Sequence, residues 1–213
     1  MIFIIIPKTT DFFVIFAILF CRYFTTPLLK PALYIGVFSC ILKVQYLHQE
    51  GIKTMEELKP KRIEDSAAET IQLVLAQHLN GYDRLFGGQL AAWIDILAGV
   101  VARRHAGKNV TTACIDNLRF RKAAHANDIV VMRGRLTHVG RTSMEVRVDT
   151  YIEDISGLRE QINTAYLVLV ALDENEQPSP VPPLLLETEE DKLIWEAAER
   201  RQELRRQRRI EQF

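Results

Sequence analysis

One acidic side chain stands inside an otherwise apolar stretch of this 213-residue chain. Asp95 lies in residues 89–104, which contain strong helix formers, no Pro, and basic residues at their end. Gly87 and Gly88 precede this stretch, where the backbone can turn sharply and another group can approach closely. Free backbone N–H groups at a helix start can hold an oxyanion, and a nearby carboxylate can activate water or attack directly. These groups suffice to hydrolyse an activated acyl group without a Ser or Cys nucleophile.

Helical spacing divides the surface of this stretch into stripes. The bulky stripe, predicted to face the core, contains Leu90, Ile94, Leu97 and Val101. The small-residue stripe contains Ala91, Asp95, Ala98 and Ala102. No basic residue lies three or four positions from Asp95, so the helix itself cannot neutralise the carboxylate. Either another element pairs with Asp95 or it faces a cavity. A simple hydrogen bond to neighbouring backbone, or contact with solvent, is an equally open alternative.

The other reactive side chains form no recognisable site. The chain has no G-x-S-x-G elbow, H-E-x-x-H, C-x-x-C, Walker or dinucleotide-binding sequence. Four His residues lie in predicted turns or at element ends without metal-ligand spacing, and surface positions are expected for His78, His105, His125 and His138. Cys114 is predicted to be a small buried residue of a strand. We therefore expect neither a metal nor a cofactor.

Bulk charge does not indicate a nucleic-acid partner, because 27 basic and 27 acidic residues leave a formal net charge of zero. Six Arg residues fall within positions 200–209, with acidic residues nearby and no aromatic residue among them. This pattern favours a solvated tail helix over an RNA contact. Only Cys114 lies beyond residue 54, so that part cannot form a disulfide framework. A reducing, cytoplasmic setting fits best.

Residues 1–54 differ in composition from the remainder, with seven of the ten Phe residues but only five Lys or Arg. Their apolar runs, at 12–21 and 33–42, are each shorter than the roughly 20 residues of a spanning helix. Gln49-Glu50-Gly51 can be encoded by a purine-rich ribosome-binding sequence, followed by a short spacer. We therefore expect Met55 to be the true initiator. The alternative is a genuine membrane anchor, if residues 1–54 are expressed.

The sequence from Met55 onward predicts an α+β protein. A charged lead-in covers residues 55–67. Strands are predicted at 70–77, 110–120, 129–139, 143–153 and 161–172, and the long helix at about 87–104. Apolar and polar residues alternate within 143–153, which predicts that one face of this strand is buried and the other is wet, that is, exposed to solvent. Successive strands with short connections favour antiparallel pairing, and one helix is available to cover them. This predicts a hotdog fold, an antiparallel sheet wrapped around one long central helix, over residues 68–180, with a charged helical tail at 181–213.

Several ordered motifs strengthen this interpretation. NGYDRLFGGQLAAWID at 80–95, ARRHAGKNVTTACID at 102–116, VGRTSMEV at 139–146 and VPPLLLETEE at 181–190 resemble bacterial acyl-CoA thioester hydrolases of the hotdog superfamily. The resemblance extends over about residues 68–200. It implies hydrolysis of fatty acyl-CoA to free fatty acid and CoA, by a homodimer with shared sites that often assembles further as a trimer of dimers.

The resemblance also implies roles for individual residues. Asp95 would be the catalytic carboxylate and Asn80 its polar partner from the other subunit. Gly87 and Gly88 would begin the helix that polarises the thioester carbonyl. The family commonly has Gly where Asp83 stands, which leaves the geometry of that turn open. Two rival functions are a non-catalytic acyl-CoA-binding or sensing module and a hotdog dehydratase. The dehydratase would need a His working with a helix carboxylate, and the predicted helix contains no His.

Coenzyme A carries phosphates that need cationic or hydroxyl partners. Arg141, Thr142 and Ser143 of the GRTS turn are the best candidates, because adjacent backbone and hydroxyl donors can cradle a phosphate. Three further basic residues are weaker candidates: Arg104, Arg119 and Lys122. An ordinary surface charge is an equally open interpretation for any one of them.

Overall fold

Five antiparallel strands and a long helix form the body of the chain in the computed structural model, which describes residues 58–211. The elements are β1 (Lys61–Arg62), β2 (Ala68–Leu73), α1 (Gly87–Ala106), β3 (Asn109–Phe120), β4 (Ile129–Val139), β5 (Ser143–Glu153), β6 (Arg159–Leu172), β7 (Leu184–Leu185) and α2 (Glu189–Glu211). The expected start at Met55 and the nature of residues 1–54 lie outside the described residues. Neither helix of the described part is long and apolar enough to cross a bilayer.

The sheet has the strand order β2-β4-β5-β6-β3, with every neighbouring pair antiparallel. Helix α1 lies along one face, called here the inner face, and all four residues of the predicted bulky stripe are buried there. Strand β4 allows a close approach at Gly134, whose added Cβ would lie 3.0 Å from Val101 and 3.2 Å from Leu97. The predicted sheet wrapped around a central helix is confirmed.

Element boundaries follow local hydrogen bonding. Helix α1 continues two residues beyond the predicted end and stops at Gly107, whose φ of 64° is left-handed and whose N–H donates to the Arg103 carbonyl. The first predicted strand ends earlier, at Leu73. A short 3-10 helix, Ala76–His78, follows it, because the Leu75 N–H donates to His78 Nδ1 at 3.1 Å and tightens the chain.

The face of the sheet opposite α1, the outer face, is partly covered by α2. Arg201 donates to Glu145 at 2.7 Å, Arg205 forms an ion pair with the same carboxylate at 2.6 Å, and Arg208 reaches Asp116 at 3.1 Å. Glu145 is only 2% exposed, so the prediction that this face of β5 is wet was wrong at that position. The charged tail is likewise docked rather than simply solvated. Strand alternation separates two faces but does not show what covers each one.

Strand β3 forms one edge of the sheet, beyond β6. Cys114 within it is exposed, so its predicted burial was wrong. The neighbouring Ile115 is also 45% exposed. The sequence alone predicted that these residues form an apolar strand, but it did not predict where that strand lies in the sheet. An edge strand has a strand neighbour on one side only, which leaves its other side open to a further chain.

His105 is fully buried in the last turn of α1, so the expected surface position was wrong. Its Nε2 lies 2.8 Å from the Pro182 carbonyl, and burial lowers the pKa of the ring. The predicted absence of His from the helix was also wrong. However, this ring binds the segment before β7, at the opposite end of α1 from Gly87. Lys61 ties β1 to the same end by donating to the His105 carbonyl at 2.7 Å.

We expect Gly134→Ala to lower the free energy of unfolding by about 1–3 kcal/mol, because the new methyl group would overpack the contact with Val101 and Leu97. Gly81→Ala is the matched control, since nothing lies within 4 Å of its added Cβ. Urea denaturation of both variants measures the difference. Equal losses would show that α1 does not depend on close contact with β4.

Candidate active site

Asp95 lies in the third turn of α1 and is half-buried. Its Oδ1 accepts a hydrogen bond from the Thr112 hydroxyl of β3 at 2.7 Å. The partner of the carboxylate is therefore supplied by another element, which was one of the open alternatives. Thr112 was not singled out from the sequence. The only available signal was a hydroxyl residue in the strand that follows the helix.

The surface around Asp95 is apolar and open in the single chain. On α1, Ile96 is 66% and Val100 is 38% exposed, and Ile115 of β3 lies on the same edge of the molecule. The small-residue stripe is divided, because Ala98 and Ala102 are fully buried while the side toward Ala92 is open. An exposed aliphatic surface around a polar group is typical of a site that another molecule completes.

Asn80 lies in a tight loop just before α1. Its Oδ1 accepts hydrogen bonds from the Tyr82 N–H at 2.9 Å and the Arg84 N–H at 3.3 Å. These contacts use the amide oxygen inside the turn, and Nδ2 makes no hydrogen bond within the described part of the chain. Asp83 has a φ of 54°, in the left-handed region that favours Gly. The turn thus forms with Asp at the position where the resemblance implies Gly.

The Asn80 loop is fixed to the helix by backbone and ring contacts. The Phe86 N–H donates to the His78 carbonyl at 2.9 Å, and the Leu85 N–H donates to the Ala124 carbonyl at 2.7 Å. The His78 ring meets the buried Trp93 of α1 edge-on, with centroids 5.0 Å apart. Asn80 therefore has a defined position relative to the start of α1.

The start of α1 has backbone donors and two aromatic rings beside them. The first intrahelical bond runs from the Leu90 N–H to the Phe86 carbonyl at 3.1 Å, so the N–H groups of Gly87 and Gly88 precede it. A Cβ on Gly88 would lie 2.5 Å from the Phe86 ring, and one on Gly87 would lie 3.3 Å from the Phe120 ring. A side chain at Gly88 would therefore displace the half-exposed Phe86 ring, and one at Gly87 would crowd the half-exposed Phe120 ring.

Asp95 is too far from the start of its own helix to act on the same bond. At 1.5 Å per residue, the stretch from Gly87 to Asp95 spans about 12 Å. A nucleophile attacks a carbonyl carbon from about 3.5 Å, and an oxyanion donor lies about 3 Å from the oxygen. One thioester cannot reach both groups of a single chain. A site that used both groups on one thioester would therefore need two chains.

The GRTS turn connects β4 to β5 and is held by its backbone carbonyls. Thr142 accepts from the Ala171 N–H at 2.9 Å, and Arg141 accepts from the Val181 N–H at 3.1 Å, which leaves the Arg141 side chain exposed. A cleft of about 530 Å³ lies beside this region. It is lined by Arg103, Gly107, Lys108, Asn109, Leu172, Asp173, Glu174 and Ser179. Arg103 and Lys108 were not singled out from the sequence.

The weaker basic candidates do not gather around this turn within one chain. Arg104 donates to the Ala67 carbonyl at 3.1 Å, near the end of α1. Lys122 is paired with Glu160 at 2.5 Å, and the exposed Arg119 lies near it at the far end of β3. By strand rise, this end is roughly 30 Å from the start of β3, where the cleft lies. Their roles toward coenzyme A stay predictions.

One long helix with a single carboxylate, packed along a five-stranded antiparallel sheet, defines the hotdog class of proteins. A family model described as Thioesterase superfamily matches residues 82–157. The chain is 35% identical over 156 residues to the uncharacterized acyl-CoA thioester hydrolase YkhA of Bacillus subtilis, which covers 73% of this chain and 91% of that protein. The chain therefore belongs to the acyl-CoA thioester hydrolase family, and the predicted resemblance is confirmed. The chain spans only 25% of a longer relative, mouse acyl-coenzyme A thioesterase 11, to which it is 29% identical.

Solved structures give the same result. An apo-hexameric acyl-CoA thioesterase matches with a TM-score of 0.68 and 37% identity, over 71% of this chain and 97% of that one. Acyl-CoA hydrolase from Staphylococcus aureus, in complex with butyryl-CoA, CoA and CoA disulfide, matches with a TM-score of 0.68 and 34% identity, over 71% and 93%. Three variants of the latter replace an Asn, an Asp and a Thr by Ala. The Asn precedes the Asp by 15 residues, and the Thr follows it by 17.

We expect Thr112→Val to lower kcat for acyl-CoA hydrolysis by about 10-fold to 100-fold, because a hydrogen bond to a charged group contributes about 1.5–3 kcal/mol. Valine keeps the shape of the side chain and removes the hydroxyl that orients Asp95. Thr112→Ser is the control and should retain most of the activity. Equal activity of the Val and Thr forms would show that Asp95 does not depend on this contact.

Proposed function

We propose that this chain hydrolyses fatty acyl-CoA to free fatty acid and CoA at sites shared between two subunits. The observation that carries the proposal is the position of Asp95, held by Thr112 in an open apolar surface and about 12 Å from its own helix start. In a dimer, Asp95 of one subunit meets Asn80 and the Gly87-Gly88 helix start of the other. The arrangement supplies a carboxylate, an amide donor and backbone N–H groups to one thioester.

The chemistry follows from these groups. The helix-start N–H groups bind the thioester oxygen and stabilise the negative charge that develops on it. Oδ2 of Asp95, which Thr112 leaves available, takes a proton from water as that water attacks the carbonyl carbon. Alternatively, the carboxylate itself attacks, and water hydrolyses the resulting anhydride. In both courses the C–S bond breaks, CoA leaves as a thiolate that is then protonated, and the fatty acid is released.

The Staphylococcus aureus variants support this assignment. The separations of the substituted Asn, Asp and Thr in that enzyme are 15 and 17 residues. Asn80, Asp95 and Thr112 have the same two separations in this chain. Two of these residues were predicted from the sequence, and the third is the hydrogen-bond donor to Asp95. The agreement supports a shared catalytic set in which Thr112 orients the carboxylate.

Coenzyme A binding is proposed for the region around the GRTS turn. Thr142 and Arg141 bond to Ala171 and Val181, close in sequence to the cleft residues Leu172 and Ser179. Arg103 and Lys108 line the cleft together with Asp173 and Glu174. Arg104, Arg119 and Lys122 remain weaker candidates, which contribute only if a second subunit brings them close. The matched hexameric acyl-CoA thioesterase supports assembly of three dimers. We also propose that the protein acts in the cytoplasm, as expected from the sequence.

Asp95→Ala should reduce hydrolysis of palmitoyl-CoA by about 10³-fold or more, because the group that activates water or attacks is removed. Release of CoA, detected with a thiol reagent, measures the rate. Asp95→Asn is the matched control, since it keeps an oxygen for Thr112 but loses the negative charge, and it should be equally inactive. Both variants should keep the wild-type oligomer. Undiminished activity in either variant would overturn the role of Asp95.

Asn80→Asp tests the role of the side-chain amide donor while keeping the hydrogen bonds that hold the turn. Asp keeps an oxygen for the Tyr82 and Arg84 N–H groups but removes the Nδ2 donor. We expect this variant and Asn80→Ala to lower kcat by about 10-fold to 100-fold with little change in KM. Steady-state kinetics with a series of acyl-chain lengths gives both constants. A raised KM with unchanged kcat would give Asn80 a role in binding instead.

A further inference from the structure

His78 lies two residues before Asn80 and contacts three different segments of the chain. Its Nδ1 accepts a hydrogen bond from the Leu75 N–H at 3.1 Å. Its carbonyl accepts one from the Phe86 N–H at 2.9 Å, and its ring meets Trp93 of α1. One half-buried residue therefore joins the segment after β2, the residue just before α1 and the body of that helix.

The loop that follows His78 is closed on itself by backbone bonds. Leu79 and Leu85 form an antiparallel bridge at its base. The Asn80 N–H donates to the Arg84 carbonyl at 2.8 Å, and the Asp83 N–H donates to the Asn80 carbonyl at 3.1 Å. These bonds all lie within the loop. They fix its shape, but they do not set its direction relative to α1.

Contacts at the base of the loop set that direction. Two of them are backbone bonds, from the Leu85 N–H to the Ala124 carbonyl and from the Phe86 N–H to the His78 carbonyl. The third is the edge-on contact of the His78 and Trp93 rings, with centroids 5.0 Å apart and planes at 86°. Trp93 is only 8% exposed, so it is a fixed surface for the His78 ring.

The hydrogen bond to Nδ1 fixes the state and the rotation of the His78 ring. Because the Leu75 N–H is a donor, Nδ1 carries no proton, and a neutral ring then carries its proton on Nε2. The same bond keeps the ring edge against Trp93. Asn would supply the acceptor without the ring, and Phe would supply the ring without the acceptor. Histidine combines both contacts in one side chain.

We infer that His78 is a positioning residue, which holds the Asn80 amide in a fixed relation to the N–H groups of Gly87 and Gly88. The inference rests on the proposed function, in which these groups of one subunit act on the same thioester. His78 itself touches no reacting atom in that scheme. It acts through Asn80, and a shift of about 1 Å in such a group can lower a rate by about 100-fold.

His78→Ala removes both side-chain contacts and should lower kcat for palmitoyl-CoA by about 10-fold to 100-fold, with KM within about twofold of wild type. His78→Asn and His78→Phe each keep one contact, and each should restore part of the lost rate. His125→Ala is the matched control, because this side chain is 61% exposed in another turn, and it should remain fully active. Full activity of His78→Ala, or a raised KM with unchanged kcat, would overturn the inference.

A double-mutant cycle separates positioning of Asn80 from a general loss of stability. In an Asn80→Ala background, His78→Ala should lower kcat by less than about twofold further, because the group that it positions is already absent. A further loss as large as in wild type would show that His78 acts elsewhere, and it would overturn the inference. Circular dichroism establishes that each variant is folded, and His78→Asn and His78→Phe decide if His78→Ala misfolds.

Amide hydrogen exchange gives a readout that does not depend on activity. The Phe86 N–H should exchange about 10-fold faster in His78→Ala than in wild type, while the Ile94 N–H inside α1 should be unchanged. Unchanged exchange at Phe86 would overturn the inference even in an active enzyme. Failure of the proposed function is distinguishable, because it would appear as a wild-type protein without thioesterase activity in which His78→Ala still accelerates exchange at Phe86.

Discussion

The fixed rise of an α-helix sets the main constraint on this protein. Asp95 lies two turns beyond the Gly87-Gly88 start, so about 12 Å of helix separates the carboxylate from the backbone donors. No side-chain rotation closes that distance. The proposed chemistry on one thioester therefore needs two chains, and α1 and β3 carry exposed apolar residues near Asp95. The exposed apolar side of α1 and the free edge of β3 are the surfaces available to that second chain.

Each polar group of the candidate site is fixed on one side and available on the other. Thr112 holds Oδ1 of Asp95, and the backbone of its own turn holds Oδ1 of Asn80. One carboxylate oxygen and one amide nitrogen then remain for a ligand. At the helix start, aromatic rings pack against the two glycines while the N–H groups stay unused by the helix. Groups that are oriented before substrate arrives need little rearrangement in the transition state.

Two parts of the outer face of the sheet differ in what covers them. Over β5 and β3, helix α2 places arginines on Glu145 and Asp116, which are almost inaccessible to solvent. Buried ion pairs of this kind contribute little net stability, because desolvation offsets their attraction, but breaking one is costly. They fix where the tail docks. Over β2, aliphatic side chains remain exposed.

The sequence by itself determined the α1 helix, its bulky buried stripe, the antiparallel strands and the unusual carboxylate. These features are local, since periodicity, Gly positions and helix formers act within a few residues. The motif resemblance identified the family and predicted the role of Asn80. Tertiary structure alone decided that Thr112 holds Asp95, that Cys114 is exposed, and that His105 and Glu145 are buried. Each of these depends on which elements become neighbours, and that depends on residues far apart in the chain, whose pairing no local pattern records.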